Sequence, residues 1–259
     1  MPPPKAASEP ASEGAFAEVY DALYRDDEFC AARADFLCAA FDATGVNREA
    51  RLLDAGCGTG SQSVALLDRG RRVVALDADP LMLAAARQKQ SNLPLILGDL
   101  RRPPFAPAFG GILCLESPLA YLLDDADLRL ALRGFRQVLT PRGCLVIDCF
   151  DYPAFFGAAP ARSRSASYHL AEKTVSVAES HSFDTATRIW EMVQRFTVSD
   201  EAGTRQFVAR HRLRMRSGDE YVSALAEAGF ETRELLANYP GLPERLRSER
   251  RVIAIALAR

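Results

Sequence analysis

Short apolar runs alternate with amphipathic stretches between residues 51 and 150 of the chain. The runs cover residues 51–55, 72–77, 94–97, 111–116 and 144–148. The longest stretch between them carries apolar residues at helical spacing, at Leu128, Leu132, Phe135 and Leu139. That spacing predicts an amphipathic helix, and the short runs predict strands. Strands alternating with helices predict an α/β fold, with a doubly wound, mostly parallel sheet that helices cover on both faces.

The pattern changes after Asp151, where apolar and polar residues alternate one by one. Residues 174–215 contain three strand-like segments, and one face of the third carries Arg210, Arg212, Arg214 and Arg216. This alternation predicts an antiparallel sheet with one buried face and one solvent face. Ser217 and Glu220 have capping-box spacing at the start of a helix that Gly229 ends. The apolar run 252–258 is predicted to rejoin the main sheet.

These patterns divide the chain into four predicted parts. Residues 1–14 are rich in Pro, Ala and Ser, which predicts a disordered arm; they hold no apolar segment, so a secretory signal is not expected. The other parts are an α/β core (15–150), an inserted antiparallel lobe (151–216), and a C-terminal helix and strands that complete the core (217–259).

Composition excludes some classes of function. The chain has 259 residues with 32 Lys and Arg against 34 Asp and Glu, a net charge of −2. Neither general nucleic-acid binding nor membrane binding is therefore expected, and no run reaches the roughly 18–20 apolar residues that span a bilayer. The six cysteines form no CxxC pair, which favours a reduced, cytoplasmic protein. The three histidines lack metal-site spacing, so no metal is predicted.

The sequence LLDAGCGTG at residues 52–60 joins a predicted strand to a predicted helix. Its glycines let the backbone turn sharply and approach a ligand, at the sheet edge where such folds bind ligands. Asp77, at the end of the second strand, could accept hydrogen bonds from two ribose hydroxyls, and Asp99 could accept one from an adenine amino group. The loop fits the dinucleotide fingerprint imperfectly, because Ser61 stands where Gly or Ala is expected.

Four segments together resemble motifs of class I S-adenosylmethionine-dependent methyltransferases: DAGCGTG (54–60), LDADPLMLAAAR (76–87), GDL (98–100) and LTPRGCLVID (139–148). One departure is Arg142, where the family usually has a second glycine. The resemblance implies a Rossmann-like methyltransferase fold, a mostly parallel seven-stranded sheet with an inserted antiparallel β lobe. It implies S-adenosyl-L-methionine as the cofactor.

The resemblance also implies roles for individual residues. Gly56, Cys57, Gly58 and Gly60 would line the methionine part of the cofactor. Asp77 and Ala78 would hold the ribose, Asp99 and Leu100 would contact the adenine, and Leu115 would lie near the sulfonium. Tyr20 and Tyr24 could form a lid, and Asp54 could orient the loop.

A narrower resemblance is to small-molecule N-methyltransferases, including those that act on nucleotide-linked amino sugars in antibiotic pathways. It rests on YDALY (20–24), CLESPLAYLLDDADL (114–128) and HRLRMRSGDEYVSALAEAGF (211–230). The amino-sugar enzymes tend to have histidine where this chain has Tyr121. The expected reaction is in-line methyl transfer to a nitrogen of a small metabolite. Oxygen methylation, a non-catalytic cofactor-binding regulator and a nucleotide-dependent oxidoreductase are the alternatives.

Candidate acceptor-side residues follow from position. Glu116, Ser117 and Tyr121 come just after the fourth strand, and Glu116 could favour a cationic acceptor. His211 is the polar exception on an apolar strand face, and Tyr24 and Trp190 are candidate substrate contacts. Each has a structural alternative: a cap for Glu116 and packing for the others. Arg245, Arg247, Arg250 and Arg251 form a basic cluster, read as a solvated face or an anion site. A homodimer is a further prediction.

Overall fold

The computed structural model describes residues 10–151, 163–170, 172–242, 244 and 251–259. Two helices come first, α1 (Pro10–Tyr24) and α2 (Asp27–Ala43). The next elements are β1 (Arg51–Ala55), α3 (Ser61–Leu67), β2 (Arg72–Asp77), α4 (Pro80–Lys89), β3 (Leu95–Leu97), β4 (Phe109–Cys114), a 3-10 turn (Pro118–Tyr121), α5 (Asp125–Val138) and β5 (Leu139–Phe150). They are followed by β6 (Ser163–His169), β7 (Lys173–Asp184), β8 (Ile189–Asp200), β9 (Gly203–Arg214), α6 (Gly218–Glu227), β10 (Phe230–Leu236) and β11 (Arg251–Ala258).

Seven strands form the main sheet in the order β10-β11-β5-β4-β1-β2-β3. Strand β1 lies parallel to both β2 and β4, and β11 lies antiparallel to β5. This arrangement confirms the predicted fold class, including the closing strand that returns to the main sheet. The chain order reverses at β1, so a crevice opens at its carboxyl end. The glycine loop, residues 56–60, lies at that point.

Successive side chains of a strand point to opposite faces of the sheet. Helices cover both faces, so apolar side chains are buried on each. Leu53 belongs to one core, where Leu128, Leu132 and Phe135 of α5 are buried, as the helical spacing predicts. Its neighbour Leu52 belongs to the other core, which α2 and α3 cover. The central strands of the sheet, which support the crevice, are therefore buried on both faces.

The lobe is a separate antiparallel sheet in the order β6-β7-β8-β9. It has four strands where the sequence predicts three, because β6 has the mostly polar sequence SRSASYH, in which only Ala166 and Tyr168 pack against the lobe core. The predicted buried face of β8 is observed, with Phe196 and Val198 at 1% and 0% exposure. Val19 of α1 packs against the same face.

Three other sequence predictions have definite structural outcomes. Helix α1 begins at Pro10, so residues 10–14 of the predicted disordered arm are helical; residues 1–9 lie outside the described residues. Arg216 was expected on the solvent face but is buried, donating from Nε to Asp125 at 3.0 Å and from NH2 to the Leu122 carbonyl oxygen at 2.9 Å. The predicted capping box of Ser217 and Glu220 is confirmed. The domain boundaries at residues 150 and 216 stay predictions.

Candidate active site

The three glycines of the loop have positive φ angles but different surroundings. A Cβ at Gly56 would lie 2.7 Å from the Pro118 side chain, and a Cβ at Gly60 would lie 3.1 Å from Ala86. At Gly58 the same atom would meet nothing within 4 Å. Gly56 and Gly60 therefore allow close packing behind the loop, whereas Gly58 leaves open space in front of it.

Asp77 is held firmly at the end of β2. Its Oδ2 accepts a hydrogen bond from the Gly58 amide at 2.8 Å, and its Oδ1 accepts one from the Asp79 amide at 2.9 Å. Burial raises the pKa of this carboxyl, although the backbone donors oppose the shift. Deeper in the fold, Asp54 accepts from the Ser63 hydroxyl at 2.6 Å, and burial raises its pKa to about 6. The loop is thus braced by two carboxylates.

A cavity of about 340 Å³ opens beside the loop. Its walls include many of the residues predicted to bind cofactor or substrate, namely Tyr20, Tyr24, Gly56, Cys57, Gly58, Leu115 and Glu116. Other predicted residues do not line it, namely Gly60, Asp77, Ala78, Asp99, Leu100, Ser117, Tyr121, Trp190 and His211. Asp77 nevertheless lies one hydrogen bond from the cavity wall, through Gly58.

Helix α1 is fastened to the glycine loop by a contact that sequence reasoning missed. Asp21 accepts from the Thr59 hydroxyl at 2.5 Å and pairs with Lys89 at 2.6 Å. Lys89 also donates to the Ser61 hydroxyl at 2.6 Å. The only sequence signal was the position of Asp21 between the two tyrosines of YDALY. This contact holds Tyr20 and Tyr24 over the cavity.

Glu116 has two arginine partners, one from α2 and one from β11. It pairs with Arg33 and with Arg251, the latter at 2.9 Å. Burial alone would raise the pKa of Glu116, but Arg251 and Arg33 lower it to about 2. The carboxylate is therefore ionised, and the two guanidinium groups balance its charge. This compensation argues against the predicted electrostatic attraction of Glu116 for a cationic acceptor.

The same network continues into the sheet. Arg251 donates to both oxygens of Asp148, at 3.0 and 2.9 Å, and Asp148 also accepts from the Tyr239 hydroxyl at 2.7 Å. Asp148 is 0% exposed, so these partners offset the cost of burying its carboxyl group. Arg251 thus lies in a buried ion-pair network and not on a solvated face. The other members of its predicted cluster, Arg245, Arg247 and Arg250, lie outside the described residues.

Three of the predicted site residues make contacts within the protein. Ser117, a predicted substrate contact, is buried and accepts from the Phe150 amide at 3.0 Å. Asp99 pairs with Arg101 at 2.5 Å, so its carboxylate has a cationic partner. Trp190 is 7% exposed in a core cluster of the lobe and stacks on His181, as its packing alternative predicts.

Tyr121 and His211 lie together although 90 residues separate them in the chain. The Tyr121 hydroxyl lies 2.9 Å from His211 Nδ1, and Tyr121 is 48% exposed. Burial lowers the pKa of His211 to about 4, although Glu179 opposes the shift. The imidazole is therefore neutral at pH 7, and the exposed tyrosine can be reached by a ligand. The two residues were predicted separately, and tertiary structure brings them together.

The lowered pKa of His211 predicts a loss of stability in acid. An unfolded histidine binds a proton near pH 6.5, whereas the folded one does so only near pH 4. The free energy of unfolding should therefore fall by about 2 to 3 kcal/mol as the pH drops through this window. Urea unfolding of His211→Gln should show a smaller fall between these pH values. The same substitution at the exposed His169 should leave the wild-type pH profile unchanged, and an equal fall in both variants would contradict the prediction.

Among the helices that the structure describes, none has the length and apolar character needed to cross a membrane.

Comparison with known proteins identifies the class. A family model described as a methyltransferase domain matches residues 52–143. The chain is 29% identical over 229 residues to the dTDP-4-amino-2,3,4,6-tetradeoxy-D-glucose N,N-dimethyltransferase of Saccharopolyspora spinosa, covering 88% of each. It is 28% identical to the dTDP-3-amino-3,6-dideoxy-alpha-D-glucopyranose N,N-dimethyltransferase of Streptomyces fradiae, covering 84% of each. A solved amino pentose methyltransferase from Micromonospora echinaspora, with S-adenosylmethionine bound, has a TM-score of 0.76 at 25% identity, with 95% of this chain and 97% of that chain covered.

With the fold and the glycine loop, these matches show an S-adenosylmethionine-dependent methyltransferase with a Rossmann-like methyltransferase fold. Its cofactor is S-adenosylmethionine, so the nucleotide-dependent oxidoreductase alternative is wrong. Within this class, the protein resembles the small-molecule N-methyltransferases.

Proposed function

We propose that the enzyme methylates a nitrogen of a small metabolite, and that this metabolite is an amino sugar carried on a nucleotide. The class of acceptor is supported by the relatives from Saccharopolyspora spinosa and Streptomyces fradiae, whose names specify dTDP-linked amino sugars. The observation that carries the choice of nitrogen is the neutral Tyr121–His211 pair.

Several residues fit the cofactor. The open space at Gly58 leaves room for a ligand against the backbone, and Asp77, fixed beside it, has further lone pairs for ribose hydroxyls. Arg33, at the cavity wall, offers a guanidinium to the methionine carboxylate. When bound, S-adenosylmethionine supplies a methyl group already activated on a sulfonium. Contacts of Asp99 and Leu100 with the adenine stay predictions.

The acceptor side favours an uncharged amine. Because Arg33 and Arg251 neutralise Glu116, that residue has no excess negative charge to hold an ammonium ion. With no free counter-ion for an ammonium ion, the site favours the neutral amine, and the ammonium proton leaves to solvent before methyl transfer. If Tyr121 donates its hydrogen to His211 Nδ1, its oxygen can accept the amine N–H and orient the nitrogen lone pair.

The same pair disfavours oxygen acceptors. A hydroxyl must lose its proton to a base as it attacks, and an imidazole with a pKa of about 4 is too weak a base to assist. An amine keeps a lone pair once its ammonium proton has gone. Nitrogen is therefore the acceptor that this arrangement supports best.

The test is methyl transfer from labelled S-adenosylmethionine to matched acceptors. The panel pairs dTDP-3-amino-3,6-dideoxy-alpha-D-glucopyranose, and the 4-amino sugar named for the other relative, with the corresponding hydroxy sugars. We expect labelled amines and unlabelled hydroxy sugars. Labelled hydroxy sugars would support oxygen methylation instead. Cofactor binding without transfer to any member would overturn the proposed acceptor class.

Variants of the pair should change turnover more than cofactor affinity. Tyr121→Phe and His211→Ala are each expected to lower kcat roughly tenfold to a hundredfold, because the acceptor nitrogen loses its orienting partner. The Kd for S-adenosylhomocysteine, measured by calorimetry, should stay within about twofold. His169→Ala, at an exposed position on β6, is the matched control. Wild-type kinetics in both variants would remove the pair from the site.

A further inference from the structure

A line of polar residues crosses the inner face of the lobe, between an apolar row and a row that holds His181 and His211. Glu179 of β7 pairs in register with Gln194 of β8, and Arg164 of β6 pairs with Glu179 on its other side. The next inward-facing row along these strands is apolar, with Val177 and Phe196 at 2% and 1% exposure. Gln194 and Glu179 are themselves 0% and 6% exposed. Burying an amide and a carboxylate here costs free energy that an apolar pair would not.

These residues form a chain of hydrogen bonds that ends at the cavity. Arg164 pairs with Glu179 Oε2 at 2.7 Å, and Gln194 Nε2 donates to Glu179 Oε1 at 2.6 Å. The same nitrogen donates to the Tyr24 hydroxyl oxygen at 2.5 Å. Tyr24 belongs to α1 and lines the cofactor cavity. The lobe therefore reaches the cavity through the Gln194 amide.

The carboxylate fixes the direction of this amide. If the Gln194 amide were flipped, its oxygen would face the Glu179 oxygen at hydrogen-bond distance, and two acceptors would repel. The observed orientation leaves Gln194 Oε1 buried without a hydrogen-bond partner among the described residues. Leaving a buried acceptor unpaired is unfavourable, so the two donor contacts outweigh it.

The amide in turn sets the direction of the Tyr24 hydroxyl. A phenol O–H lies near the ring plane and can point to either side of the C–O bond. Because Gln194 donates to the oxygen from the lobe side, the hydrogen is directed to the other side. Burial raises the pKa of Tyr24 to about 12, so the hydroxyl keeps its hydrogen at neutral pH.

We propose that Gln194 and Glu179 are positioning residues that make Tyr24 a fixed hydrogen-bond donor to an oxygen of the acceptor. The proposal rests on the proposed function, and it adds that the acceptor extends from the Tyr121–His211 pair to the cavity wall at Tyr24. It specifies the chemistry of the recognised group: a hydroxyl or ether oxygen near the reacting nitrogen, which accepts a hydrogen bond. Tyr24 thereby selects acceptors that carry such an oxygen.

A double-mutant cycle tests this coupling with the best acceptor of the amine panel. Tyr24→Phe and Gln194→Met should each raise the acceptor KM about tenfold, with kcat and the Kd for S-adenosylhomocysteine within about twofold. The double variant should be no worse than either single variant, because both remove the same hydrogen bond. Gln206→Met, at an exposed glutamine on β9, is the control. Additive effects, or an unchanged KM in Gln194→Met, would overturn the proposal.

A spectroscopic readout separates this proposal from the proposed function. With ¹³Cζ-labelled tyrosine, the Tyr24 resonance is identified by its loss in Tyr24→Phe. It should shift in Gln194→Met and in Glu179→Gln but not in Gln206→Met. If no amine of the panel is methylated, the proposed acceptor class fails. The Tyr24 resonance still shows whether Gln194 and Glu179 orient the Tyr24 hydroxyl. A resonance unmoved in both lobe variants would show that the lobe does not set the Tyr24 hydroxyl.

Discussion

Asp77→Ala should weaken S-adenosylmethionine binding by about a hundredfold or more. The substitution removes the proposed acceptor for the ribose hydroxyls, and hydrogen bonds to a charged group contribute about 1.5–3 kcal/mol each. It also releases the amides of Gly58 and Asp79, which the carboxylate holds at 2.8 and 2.9 Å. The loop would then lose the shape that leaves space for a ligand.

Calorimetric titration with S-adenosylhomocysteine measures this effect directly. Asp68→Ala provides a matched control, because Asp68 is an exposed carboxylate just after α3. It should bind like the wild type. Equal affinity in Asp77→Ala and the wild type would contradict the ribose role of Asp77 while leaving the class of the enzyme unaffected.

Arg251→Met should destabilise the protein by about 3–5 kcal/mol, the usual cost of leaving a buried charge without its partner. Asp148 is 0% exposed and would keep only the Tyr239 hydroxyl among its side-chain partners described above. Glu116 would keep Arg33 alone, so its pKa would rise from about 2. Both changes lower the free energy of unfolding, because each leaves a carboxylate with fewer partners.

Urea unfolding at pH 7 measures the loss, and Arg212→Met is the control. Arg212 also pairs with a carboxylate, Glu191 at 2.9 Å, but the side chains are 56% and 49% exposed. Exposed pairs contribute about 0–1 kcal/mol, so this control should change stability little. Similar losses in the two variants would show that the Arg251 network is not a stabilising buried cluster.

The placement of the glycine loop beside Asp77 was predictable from the sequence because both signals are local. A glycine loop follows a strand, and Asp77 ends the next strand, so topology alone puts them at one edge. The contacts of individual residues on the acceptor side were harder to predict from the sequence. Ser117 was predicted beside the substrate, but its φ of 67° turns it toward β5, where it bonds Phe150. No local sequence pattern predicts that a serine adopts the left-handed backbone conformation.

The sequence by itself determined the α/β core and the lobe, because the hydrophobic period reports which side of each element is buried. It determined the cofactor class because the four motifs are local in the chain. The sequence pattern did not predict β6, where only Ala166 and Tyr168 carry that period, or the burial of Arg216. Only the tertiary structure decided which polar side chains meet: Arg33 and Arg251 at Glu116, Gln194 at Tyr24, and Tyr121 at His211. Such partners come from elements far apart in the chain, and contact between them depends on how those elements pack.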